Sequence, residues 1–160
     1  MFRSTLSRLA LLVSAAALAA CSGDDPVAPV IPAGAADITG DITVDRTLYA
    51  ETTYTLKGFV HVTSGATLTV NAGTTIKGDY ATLGSSLFIM RGAKIKAVGT
   101  ASQPIVFTSS QTVGSRAPGD WGGLIIIGNG IINRTGTPIF TEGAAAGQAE
   151  NYAGGNNNAE

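Results

Sequence analysis

Few residues in this chain are spaced so that they could do chemistry together. Asp79 is the only acid between Glu51 and Asp120. The middle of the chain therefore lacks the clustered carboxylates that would hold calcium beside a basic proton acceptor. Lys77, Lys94 and Lys96 fall where a repeating strand pattern would bring them close, as a strip able to attract an acidic polymer. The weightier reading of that strip is a solvated edge that discourages strand aggregation. Trp121 is the one tryptophan, flanked by Asp120 and two glycines, with Arg116 nearby. It could stack on a sugar ring, but such a side chain more often pins a loop by burying its large apolar area. His61 is the single histidine, and one imidazole without partners makes neither a metal site nor a triad. There is no supported Ser/His/Asp arrangement and no phosphate-binding glycine loop. The expectation is no catalytic residue, no metal and no cofactor. Trp121, Asp120, Arg116, Lys77, Lys94 and Lys96 remain as candidate ligand contacts.

The best-defined chemistry belongs to Cys21, the one cysteine. Arg3 and Arg8 precede an apolar run from Leu9 to Ala17, and small residues follow. That is the layout of a secretory signal peptide, and the run is too short to span a membrane. Leu18-Ala19-Ala20-Cys21 resembles the lipobox of bacterial lipoproteins. The resemblance implies cleavage between Ala20 and Cys21, a diacylglyceryl group on the thiol and a further acyl chain on the new amine. Two or more chains make membrane attachment stable, where one does not. Ser22, in place of an aspartate, implies the outer membrane, and Gly23-Asp24-Asp25 is similar to short surface-export signals. Pro26, Pro29 and Pro32 then favour extended chain over helix. Residues 1–20 are thus expected to be the signal peptide and 21–36 a lipidated tether.

Composition bounds the remainder. The chain has 10 basic and 11 acidic residues; loss of Arg3 and Arg8 leaves a mature net charge near −3, with no basic footprint for nucleic acid. Abundant threonine, valine and isoleucine, punctuated by 21 glycines, indicate an all-β domain.

The elements that would position the candidates come from a repeat. Leu68 to Lys77 aligns with Leu87 to Lys96 at an offset of nineteen, matching Val70 to Ile89, Gly73 to Gly92 and Ile76 to Ile95. Strands without helices at such a period are a solenoid signature. In a parallel β-helix the coils stack about 4.8 Å apart. The alignment therefore predicts Leu68 and Val70 stacked on Leu87 and Ile89, Lys77 near Lys96, and glycines 73 and 92 in left-handed turns. Between Asp37 and about Asn133 there is room for roughly five coils, about 24 Å of rod. The rival, an antiparallel sandwich, would use hairpin turns such as Asn-Gly, and Asn129-Gly130 is the only Asn-Gly pair.

"VHVTSGATLTVNAGTTIKG", "RGAKIKAVGTASQPIVFTS" and "GDWGGLIIIGNGIIN" resemble a group of bacterial secreted and surface lipoproteins, mostly uncharacterised. The resemblance implies a right-handed parallel β-helix of pectin-lyase-like architecture, placed here at 37–141. Residues 142–160 are polar and glycine-rich, a loop or tail, and an open solenoid end normally needs a cap. The chain is therefore expected to continue beyond Glu160. The functional expectation is an exported outer-membrane lipoprotein, non-catalytic, offering a rod for adhesion or glycan contact. The alternatives are part of a polysaccharide-active lyase or hydrolase and a purely structural envelope component.

Overall fold

The computed structural model describes residues 33–131 and 133, all within the compact unit Ile31–Glu160. The signal peptide, Cys21 and the proline-rich tether up to Pro32 lie outside the described residues. So does the segment 142–160.

Nine strands and no helix form among the described residues: β1 (Gly34–Ile42), β2 (Arg46–Leu48), β3 (Thr52–Val62), β4 (Thr67–Val70), β5 (Thr75–Gly78), β6 (Ser86–Ile89), β7 (Lys94–Ala97), β8 (Val106–Ser109) and β9 (Gly123–Ile126). All seven strand pairings are parallel. That excludes the antiparallel sandwich and makes the fold a parallel β-helix. Strand β1 begins at Gly34, slightly before the expected start at Asp37.

The strands stack in three faces. The first contains the start of β1, the start of β3, β5 and β8. The second contains the end of β1, the end of β3, β6 and β9. Because β1 and β3 run through both, these faces belong to one bent six-stranded sheet, and β2, β4 and β7 form the third. Among the described residues three coils are complete, and β8 and β9 make two-thirds of a fourth.

Alternation decides which side chains fill the interior. Along β3, Thr52, Tyr54, Leu56, Val60 and Val62 are buried while their neighbours are half-exposed. Leu68, Val70, Leu87 and Ile89 all point inward and are buried, as alternation predicts. Removing one such aliphatic side chain from water stabilises the fold by about 1.5–3 kcal/mol. The buried Tyr54 hydroxyl accepts the Tyr49 amide at 3.0 Å, so its polar tip is satisfied. Gly73 and Gly92 occupy corners at φ +83° and +76°, the left-handed backbone expected of them.

The nineteen-residue register is overturned. Leu68 stacks on Ile95, not on Leu87. Leu87 lies between Val60 and Leu124, and Lys77 lies between Thr55 and Thr108 rather than beside Lys96. The repeat relates β4–corner–β5 to β6–corner–β7, a shift of two faces rather than a full coil. Each corner meets the same steric demand, so strand–glycine–strand recurs at corners. The coils are unequal and lengthen along the chain: Gly34 pairs with Thr52, Thr53 with Thr75, Phe59 with Ser86 and Ser86 with Gly123. Longer coils mean fewer of them than the five expected over this stretch.

Candidate functional site

The unequal coil lengths have one main source. At the corner between the first and second faces, β1 turns through Gly40 and β3 through Gly58, both without leaving the strand. In the third coil the same corner is occupied by residues 79–85, and in the fourth by residues 110–122. Loops that lengthen coil by coil at one corner lie over one another. Insertions gathered on one side of a solenoid are where binding surfaces form.

Hydrogen bonds hold both loops. Asp79 Oδ2 accepts the Thr82 hydroxyl at 2.6 Å, and Oδ1 accepts the Ala81 amide at 3.3 Å and the Ser110 hydroxyl at 3.4 Å. The Tyr80 amide donates to Ser110 Oγ at 3.0 Å, tying the lower loop to the upper. Beneath, the Gly58 amide donates to Ser85 Oγ at 3.2 Å. In the upper loop, Asp120 Oδ2 accepts the Ala117 amide at 3.0 Å, and Arg116 Nε donates to the Gln111 carbonyl at 3.1 Å. The Gly122 amide donates to the Ser85 carbonyl at 2.8 Å. The indole of Trp121 packs on the core, over Gly78. A side chain at Gly78 would occupy the space that the indole fills.

An open cleft of about 360 Å³ lies between the loops. Tyr80, Thr82 and Leu83 form one wall, Asp120 and Trp121 the other, and Ser85 and Ser86 also line it. Tyr80 is 52% exposed and Leu83 98%, so the lip offers an aromatic and an aliphatic surface to solvent. The Thr82 hydroxyl, more than any other partner, holds Asp79 below the ordinary aspartate range, with the Ala81 amide and Ser110 hydroxyl assisting. The Ser109 hydroxyl and the Ala117 amide do the same for Asp120.

A depressed carboxylate stabilises the folded loops above the unfolded pKa, and that contribution is lost as pH falls through the folded value. The loops should therefore hold at neutral pH and loosen only below the ordinary aspartate value of 3.8. Trp121 emission followed against pH should change in that acid range. Asp79→Asn together with Asp120→Asn should flatten the change.

The structure brings Trp121 and Asp120 together and separates the other candidates. Trp121 is half-buried and pins its loop, the weightier of its two expected roles, while part of it lines the cleft. Arg116 belongs to the same loop but not to the cleft wall. Lys77 is on the first face, whereas Lys94 and Lys96 are exposed on the third, paired with Thr67 and Thr69. The three lysines therefore form no single strip. Cys21 and Ala20 lie outside the described residues. His61 faces outward as alternation predicts, with Nδ1 2.8 Å from Asp41 Oδ1 and its ring 5.3 Å from that of Phe88.

Tyr80, Thr82 and Leu83 were not singled out from sequence. The signal was present: Asp79-x-x-Thr82 is a side-chain-stabilised turn that interrupts the strand pattern before Gly84.

A protein-family model described as "Pectate-lyase like beta helix domain" matches residues 40–160. No curated protein and no solved structure matches the chain.

Proposed function

The chain belongs to the pectate-lyase-like beta-helix domain family, and on that premise we propose a lipid-anchored protein of the bacterial outer membrane that contacts glycan without transforming it. The observation that carries the glycan reading is the stacking of two insertion loops at one corner, with Tyr80 and Leu83 on the lip and Asp120 on the facing wall. Aromatic faces take the C–H side of sugar rings, and hydroxyl and carboxylate groups take the ring hydroxyls. Asp120 is held ionised by the Ser109 hydroxyl at the end of β8 and by the Ala117 amide of its own loop. That makes it a good hydrogen-bond acceptor and a poor general base, whose pKa should lie near the working pH.

The anchor reading rests on Leu18-Ala19-Ala20-Cys21. Wild-type protein should partition into detergent and take up labelled fatty acid, and Cys21→Ser should do neither. Aqueous partitioning of the wild type would remove the anchor from the account. For the cleft, the full chain in detergent micelles should bind immobilised polysaccharide, and Tyr80→Ala should weaken that binding about tenfold, the order of a stacking contact. Binding indifferent to Tyr80 would place contact elsewhere.

The family description favours a second reading, a polysaccharide-active enzyme. Release of new chain ends from a polysaccharide incubated with the protein would establish it, and would displace the non-catalytic reading.

A further inference from the structure

We infer that the cleft selects neutral, hydroxyl-rich sugar chains and turns away polyuronates; the inference rests on the glycan-contact reading above. Its basis is the charge of the walls. Asp120 supplies a carboxylate, and no lysine or arginine is among the described residues lining the cleft. Among the described residues, the cations of the neighbouring segments are engaged or turned elsewhere. Arg116 donates Nε to the Gln111 carbonyl within its own loop. Lys57, whose charge reaches Asp79, is ion-paired with Asp37 at 2.6 Å. Lys77 projects from the first face between Thr55 and Thr108.

A uronate entering this space would bring one carboxylate per ring toward Asp120 with no cationic partner on the described walls. Like charges set against each other at an interface disfavour the wrong ligand. A neutral sugar meets the same wall favourably, because each ring hydroxyl can donate to the carboxylate in a charge-assisted hydrogen bond. Its C–H face can lie against Tyr80 and Leu83, which are exposed and apolar. Because the Ser109 hydroxyl and the Ala117 amide keep Asp120 charged, the repulsion persists across the whole neutral and mildly acidic range. The selectivity is thus set by one carboxylate and the absence of a cation on the described walls, not by ring stereochemistry.

The test uses the full-length chain in detergent micelles on an array of matched oligosaccharides. Each pair shares ring stereochemistry and length: galactose with galacturonate, mannose with mannuronate, glucose with glucuronate. Calcium and a chelator are each present in parallel runs. At least one neutral member should bind, with its acidic counterpart about tenfold or more weaker in both buffers. Asp120→Asn should narrow that gap by strengthening the acidic member, because it removes the repelling charge and keeps the side-chain oxygen. Tyr80→Ala should weaken the neutral member without restoring the acidic one. A uronate that binds as tightly as its neutral partner in either buffer, through Tyr80, overturns the selectivity and leaves glycan contact standing. Failure of every member to bind, or binding insensitive to Tyr80 and Asp120, overturns the glycan-contact reading and the inference with it.

Discussion

Gly78→Ala should shift the emission of Trp121 to longer wavelength, raise its quenching by solute and lower stability by about 1–3 kcal/mol, the usual penalty of overpacking. The protein contains one tryptophan, so the signal comes from that side chain alone. Gly78 ends β5 on the interior side of the alternation, and the indole of Trp121 occupies the place its missing side chain leaves. The backbone of Gly78 is not left-handed. Alanine would therefore be tolerated there but for the indole, and any loss reports the close approach and not backbone strain. Once Trp121 is displaced, residues 110–122 lose their apolar tie, and one wall of the cleft loses its place. Gly114→Ala is the contrasting variant: its φ is +92° but nothing stands within 4 Å, so it should strain a turn without moving the tryptophan signal. Unchanged emission in Gly78→Ala would mean that Trp121 does not sit over β5.

Phe88→Ala should cost about 3–5 kcal/mol in urea denaturation, among the largest single losses available to this fold. Phe88 is unusual because it points away from the coil interior yet is fully buried. Its ring lies 6.1 Å from that of Phe59 and 5.3 Å from that of His61, forming a second apolar cluster outside the second face. Gly84 closes on the same cluster, and a side chain there would stand 2.6 Å from the tip of Phe59. The loop 79–85 therefore rests on an aromatic floor. Truncating Phe88 should also speed proteolysis within 79–85, whereas a core change remote from the corner, such as Leu48→Ala, should lower stability with less effect on that loop. Equal loop protection in both variants would separate the aromatic cluster from the cleft.

Much of the architecture was legible because the parallel β-helix makes local demands. Alternation along Thr67–Val70 and Ser86–Ile89 places Leu68, Val70, Leu87 and Ile89 inward, and a sharp corner admits glycine at 73 and 92. The stacking register was not legible, since it depends on how much chain each corner consumes. Residues 79–85 and 110–122 look like spacers between strands, and only their stacking shows that they share a corner. The lysines were misplaced for the same reason. Trp121 stood out by rarity of type, and Asp120 by its place beside it in a glycine-rich loop. Tyr80 and Leu83 carry no periodic signal, because exposed loop side chains answer to no packing constraint.

The stacking that gathers both insertion loops at one corner is tested most directly by disulfide trapping. The background is Cys21→Ser, which removes the one native cysteine. Thr69 and Lys96 are direct partners on the third face, and neighbouring parallel strands lie within the Cα separation that a disulfide needs. Thr69→Cys with Lys96→Cys should cross-link rapidly under mild oxidation and leave stability intact. Lys77→Cys with Lys96→Cys, partners in a nineteen-residue repeat, should remain reduced. Cross-linking of the second pair but not the first would contradict the observed register, and the shared corner and its cleft would fall with it.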